Sequence, residues 1–231
     1  MIDTTDKFEG AYVKTPLPAK HDWVFSMDLQ SLYPSIIMSL NISPETKVAS
    51  VVNQWDVDAF TSGEGGTALL QIDNKQKKLT YDQLRDVIKD GNMCISSNGV
   101  LYRQDKRGVI PSILEKWFAN RLEFQSLMKK ALVDGDAEAA DYYDRRQHIQ
   151  KIFLNSLYGV LGLPIFRFFD IDNASAVTTT GQTVIKQSEQ IVNEFYEAAG
   201  APLRTKTDVQ RHNDVLATEA KKKKKPQTMF A

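Results

Sequence analysis

Two long helical stretches with a very short break between them constrain this chain more than any other feature. From residue 111 the run PSILEKWFANRLEFQSLMKKALVDGD places Ile113, Leu114, Trp117, Phe118, Leu122, Leu127, Met128, Ala131 and Leu132 near one face at helical spacing. Asp134, Gly135 and Asp136 interrupt it, and AEAADYYDRRQHIQKIFLNSLYGVLG continues from 137 as a second helix ending near 159–162. So short a break turns the chain straight back, so the pattern predicts an αα-hairpin. A third helix, ASAVTTTGQTVIKQSEQIVNEFYEAAG, is predicted over about 174–199, stopping at Gly200.

The rest of the chain reads as strands and short helices. FEGAYVK (8–14) alternates like a short strand, and WVFSMDL (23–29) reads as a buried strand. SLYPSIIMSLN, from Ser31, has helical spacing with Pro34 at an early position, where a missing N–H costs little. NISPETK (41–47) is a turn or loop, SGEGG (62–66) a loop tip, and LTYDQLRDVIKDGN (79–92) a helix stopped by Gly91. SNGVLYRQDKRGVIP (97–111) reads as a hairpin around the charged turn RQDKRG, and PIFRFFDID (164–172) as a short extended piece. Residues 50–92 otherwise carry little pattern, and from 201 onward the sequence is polar and aperiodic.

Composition narrows the class. With 42% hydrophobic and 25% charged residues, 231 residues can bury a sizeable core as one large domain or two small ones. No apolar run is long enough for a membrane span. The single cysteine, Cys94, excludes an intrachain disulfide framework and fits a reducing cytoplasm. One cysteine and three histidines (His21, His148, His212) argue against a zinc site. Basic and acidic residues balance at 29 each, so total charge does not point to nucleic acid; the densest basic block is 221–225.

Two constellations carry chemistry. Lys151, Asn155 and Tyr158 fall at i, i+4 and i+7 and share one helix face. A cation, an amide and a phenol in line suit an anionic, aromatic ligand, while a solvated amphipathic face has the same spacing. Arg121 and Lys129 or Lys130 add positive charge on the preceding helix. The second constellation is Asp28, a carboxylate at the predicted end of a buried strand. Such a group must be paired, bind a metal such as Mg²⁺ beside phosphate oxygens, or cap the helix opening at Ser31.

DLQSLYPSII (28–37) resembles motif A of the family B DNA polymerases, and KIFLNSLYG (151–159) resembles their motif B. FEGAYV (8–13) is similar to the short motif that precedes motif A in that family. NISPETK and RFFDIDNASAVTTTGQ resemble the tailed-phage branch, with order and spacing agreeing over about 7–199. The resemblance implies an α+β fold: a partial polymerase palm, an antiparallel sheet with packed helices, plus antiparallel αα-hairpin fingers. It divides the chain into palm with motif A (1–110), fingers with motif B (111–162), a palm return helix (163–200) and a divergent tail (201–231).

The resemblance also implies roles. Asp28 would hold two catalytic Mg²⁺ ions, with the backbone carbonyl of Leu29 on the nucleotide-side ion. Backbone amides of Ser31 and Leu32 would hold the triphosphate, and Tyr33 would lie under the sugar and reject a 2′-OH. Arg121 and Lys151 match cations on the γ- and β-phosphates, Asn155 the amide beside them, and Tyr158 and Gly159 the wall of the nascent base pair. Gln125 stands where the phage branch often carries another lysine. The implied reaction is transfer of dNMP from a dNTP to a primer 3′-OH on primer-template DNA, in the cytoplasm of an infected bacterial host.

Some family parts find no match. The place of motif C, which supplies the second palm carboxylate, is occupied by APLRTKTDVQRH, where Asp208 stands as a substitute and Lys206 replaces the first aspartate. The exonuclease domain and thumb are not recognisable either. The expectation is therefore a split or truncated polymerase needing a second polypeptide with motif C and thumb, or else an inactive nucleotide- or DNA-binding fragment. The ending KKKKKPQTMFA faintly resembles peptides by which phage polymerases hold a sliding clamp.

Overall fold

A computed structural model describes residues 10–16, 18–20, 27–53 and 55–198. Among them lie the elements α1 (Leu32–Leu40), β1 (Lys47–Val51), α2 (Val57–Ser62), β2 (Thr67–Ile72), β3 (Lys75–Thr80), α3 (Tyr81–Asp90), β4 (Met93–Ile95), β5 (Val100–Arg103), α4 (Val109–Asp134), α5 (Ala137–Leu161) and α6 (Ile171–Ala198). The chain divides into two compact units, Met1–Tyr12 with Leu29–Val184, and Val13–Asp28 with Ile185–Ala231. In the second, Lys14 pairs with Glu189 on the later half of α6.

The first unit is built on a five-stranded sheet in the order β3-β2-β1-β5-β4, every pair antiparallel. Alternation along β5 serves two cores. Val100 and Tyr102 join Ile37 of α1, Leu114 of α4, Leu154 of α5 and Val177 of α6 on one side. Leu101 joins Ala49, Leu70, Phe60 and Leu84 on the other.

The loop after α1 sets where α4 begins. Asn41 ends α1 in the left-handed region (φ 56°), a conformation asparagine tolerates better than most residues, and is 1% exposed. Its Nδ2 donates to the carbonyls of Arg103 (2.7 Å) and Lys106 (2.9 Å), and its Oδ1 accepts from Gly108 N–H (2.9 Å). The next two N–H groups are met from the same loop: Val109 donates to Glu45 Oε1 (2.5 Å) and Ile110 to Ser43 Oγ (3.4 Å). Side chains of NISPE thus satisfy the donors that open a helix, a need no intrahelical acceptor can meet. A Cβ on Gly108 would stand 2.7 Å from Ser43 Cβ, so the close approach requires glycine there.

The long hairpin is observed. Gly135 (φ 76°) turns the chain, and Asp136 caps α5 by accepting from Ala139 N–H at 2.9 Å. Ring pairs Trp117–Phe153 (5.3 Å) and Phe124–Tyr143 (6.5 Å) bridge its two helices. Lys129 and Lys130 are exposed, whereas Arg121 is buried.

Several expectations need correction. α4 starts at Val109, two residues early, because Pro111 in the first turn needs no N–H acceptor. The segment 97–111 is not a hairpin around RQDKRG; β4 pairs with β5 through the turn at 96–99, and GVIP enters α4. PIFRFFDID is not extended but forms consecutive turns, with Phe166 N–H on Leu163 O (2.8 Å) and Phe169 N–H on Phe166 O (3.0 Å). α6 opens at Ile171 because Asp170 caps it, accepting from the N–H groups of Asp172 (3.0 Å) and Asn173 (3.1 Å). Of WVFSMDL, 23–26 lie outside the described residues, while 27–29 are irregular and exposed and pair with no described strand. Asp28 itself lies in irregular, exposed backbone. Of FEGAYVK, 8–9 lie outside the described residues and 10–14 are irregular; the tail 201–231, with Asp208, also lies outside them.

Lys47, at the start of β1, ties the sheet to α6 through Asp170 (3.0 Å) and Asp172 (2.7 Å). Burial pulls its ammonium down, but the two carboxylates outweigh that and hold it above its ordinary value. Nearby, Tyr102 donates from its hydroxyl to Asn173 Oδ1 (2.8 Å), and burial, reinforced by the same carboxylates, raises its phenol well above 10.

Two outcomes are expected. Asn41→Ala removes three hydrogen bonds and puts alanine in the left-handed region, so urea unfolding should show a loss of about 2–4 kcal/mol, with Asn41→Gly less damaged. Burial also pushes the Cys94 thiol from 9.0 to about 11, so the folded state keeps a proton that the unfolded chain releases. Stability present below pH 9 is then lost as pH rises through 9 to 11, and this slope should flatten in Cys94→Ala when unfolding is followed against pH.

Candidate functional site

The turn before α1 is where the first unit gathers its polar chemistry. Ser31 adopts the left-handed region (φ 56°, ψ 40°), rare for serine, and stands at the N-cap position of α1 without a side-chain cap hydrogen bond. The first turn of α1 holds no acidic residue, and Pro34 has no N–H to offer. No acidic residue of that turn answers the positive end of the α1 dipole, a general feature of phosphate sites at helix N-termini.

Arg121, in the middle of α4, reaches this turn. It is only 8% exposed, and its Nη1 donates to Ser31 Oγ at 3.4 Å. Its Nε donates to Gln147 Oε1 of α5 at 3.5 Å. Both partners are neutral, and Arg121 has no carboxylate partner among the described residues. A buried cation in neutral surroundings is costly, and an anion beside it removes that cost.

Aromatic rings lie alongside. Tyr33, second residue of α1, meets Tyr158 of α5 with ring centroids 4.5 Å apart and planes tilted by 53°. Burial, helped by Tyr33, raises the Tyr158 phenol above its ordinary value. On α6 a Cβ built at Gly181 would stand 3.0 Å from Tyr33 Cε1, so the absent side chain leaves room for the ring.

The predicted residues fall into three groups. Ser31, Leu32, Tyr33, Arg121 and Tyr158 are brought together at the start of α1, with Leu32 half-buried against the core. Lys151, Asn155 and Gly159 share one face of α5 but are exposed, and Lys151 and Asn155 make no hydrogen bond or ion pair among the described residues. Leu29 is 42% exposed, and Asp28 is exposed in the other compact unit. Among the described residues, no group of three or more His, Cys, Asp or Glu side chains is placed to hold a metal ion.

Sequence reasoning missed Gln147 and Gly181. Gln147 precedes Lys151 by four residues on the same helix face, and extending that i, i+4 pattern backward would have found it. Gly181 interrupts the middle of a helical pattern, which costs about 1 kcal/mol relative to alanine and signals a packing or functional reason.

A family model described as DNA polymerase family B matches residues 2–222, and the chain belongs to that family. Among curated relatives, the DNA-directed DNA polymerase of Escherichia phage RB69 is 30% identical over 239 residues, covering 81% of this chain and 24% of the relative. That of Enterobacteria phage T4 is 28% identical over 236 residues, with the same shares. The chain spans about a quarter of the length of these phage relatives. A solved family B DNA polymerase from Pyrobaculum calidifontis aligns with a TM-score of 0.48 and 19% identity, covering 71% of this chain and 17% of that one.

Gly159 generates a prediction. A Cβ there meets nothing within 4 Å, so packing gives no reason for glycine inside α5. Gly159→Ala should raise stability in urea by about 0.5–1 kcal/mol.

Proposed function

We propose that the chain is the palm-and-fingers segment of a replicative DNA polymerase of the tailed-phage type, adding dNMP from a dNTP to a primer 3′-OH. The observation that carries this reading is Arg121: a buried guanidinium, met only by neutral groups among the described residues, at the N-terminus of α1, which has no side-chain cap. In this reading residues 1–110 and 163–200 form the palm, α4 and α5 within 111–162 the fingers, and 201–231 a divergent tail. The place of action is the cytoplasm of an infected bacterial host.

The division of labour follows from the reaction. Phosphoryl transfer asks a protein mainly for in-line positioning and charge neutralisation. The Ser31 and Leu32 amides and the Arg121 guanidinium bind the triphosphate at the α1 terminus, and Lys151 adds its exposed ammonium from α5. Asn155 lies beside them on the Lys151 face. Tyr33, seated between α6 and Tyr158, packs under a deoxyribose and leaves no room for a 2′-OH. Gly159 offers a bare helix surface on which the nascent base pair can close.

Mg²⁺, when bound, supplies activation of the 3′-OH and neutralises phosphate charge. The described residues do not by themselves fit a two-ion site, because Asp28 is one exposed carboxylate and no cluster of ligands surrounds it among them. Asp28 and the Leu29 carbonyl form one side of such a site in this reading. The second carboxylate comes from Asp208, from elsewhere in a longer protein, or from a second polypeptide carrying motif C and thumb. The single carboxylate also favours a second reading, a fragment that binds nucleotide or DNA without chemistry.

Primer extension separates the two. The chain alone should extend nothing, and adding a motif C–thumb polypeptide should give Mg²⁺-dependent synthesis abolished by Asp28→Ala. Extension by the chain alone would falsify the incomplete site, and its absence with the added polypeptide leaves the binding-only reading. In either case Arg121→Ala should weaken dNTP binding about tenfold or more, whereas Lys129→Ala should leave it unchanged.

A further inference from the structure

We infer that Gln147 is a positioning residue: it holds Arg121 against the turn before α1 with a neutral acceptor, so the guanidinium keeps its full charge for an anionic ligand. The inference deepens the nucleotide-binding reading and rests on it.

The orientation of the Gln147 amide is set from one turn earlier on α5. Its Nε2 donates to Asp144 Oδ1 at 2.9 Å, which leaves Oε1 facing α4. There Oε1 accepts from two side chains one helical turn apart, Arg121 Nε at 3.5 Å and Gln125 Nε2 at 3.4 Å. One amide oxygen therefore gathers the functional face of α4, and Asp144 keeps the amide from presenting its NH₂ group to a cation.

Neutrality is the point of the arrangement. Three exposed arginines, Arg103, Arg107 and Arg145, pair with carboxylates, through Asp105, Glu115 and Asp141, while exposed Arg146 and Arg167 lie over aromatic rings. Arg121, far more buried, has amide and hydroxyl partners instead. A glutamate has the shape of glutamine, yet at 147 it would form a permanent ion pair with Arg121 and cancel the charge that a triphosphate needs. Glutamine fixes the direction of the guanidinium without competing for it.

The test is binding of a fluorescently labelled dATP to the full chain, with thermal unfolding followed in parallel. Gln147→Ala loses the acceptor but keeps the cation free, and should weaken binding about threefold. Gln147→Glu keeps the shape but neutralises the cation, and should weaken binding about tenfold or more. A merely structural role gives the opposite order, since the isosteric change would disturb less than the truncation. In an Arg121→Ala background the two Gln147 variants should bind alike, because the charge being protected is gone. Binding by Gln147→Glu equal to wild type, or better than by Gln147→Ala, overturns the inference while leaving the functional reading intact. If wild type shows no triphosphate binding that depends on Arg121, the functional reading falls and the inference falls with it.

Discussion

The placement of α4 depends on side chains that α4 does not contain. Three consecutive N–H groups, from Gly108 to Ile110, find their acceptors on Asn41, Glu45 and Ser43. These acceptors sit just past the end of α1, so the helix carrying Tyr33 and the helix carrying Arg121 are joined through one loop. Asn41 extends the joint to the sheet through the carbonyl of Arg103 at the end of β5. With three elements locked at one point, the side chains a few turns away meet at hydrogen-bond distance, and Arg121 falls on Ser31.

That meeting leaves an electrostatic imbalance. Folding buries a guanidinium beside the positive end of a helix and, among the described residues, supplies only an amide and a hydroxyl in return. Lys47 shows the other solution available to this fold: a half-buried cation on β1 is answered by two carboxylates that also fasten the start of α6. One cation is consumed by structure, and the other keeps only neutral partners among the described residues. The contrast lies in partner chemistry, because both are removed from bulk water to a similar or greater degree.

Much of this was legible in the residues, for reasons that differ between elements. The α4–α5 hairpin showed itself because long apolar periodicity and Asp-Gly-Asp are local signals, and α3 did so through its spacing and Gly91. Motifs A and B named Ser31, Leu32, Tyr33 and Tyr158, and the wider resemblance added Arg121, which the fold does bring together with them. The sheet was mostly hidden: β3, written KQKKLT, buries only Leu79, so it lacks strand-like alternation and is specified by its pairing with β2. Pairings such as Lys47 with Asp170 span more than a hundred residues and leave no local trace. PIFRFFDID misled because its aromatic content suits a strand, whereas tertiary packing of Phe166 and Phe168 bends it into turns.

The length of the hairpin has a mechanical consequence. At about 1.5 Å per residue, the 26 residues of α4 make an arm of about 39 Å. Arg121, twelve residues from the start of that arm, lies about 18 Å from its base, and Lys151, ten residues from the end of α5, about 15 Å. A tilt of about 10° about the base carries Arg121 by about 3 Å and the tip by about 7 Å. The hairpin is thus geared at roughly two to one: a displacement at its tip reaches the buried guanidinium at half the size, close to the length of a single hydrogen bond.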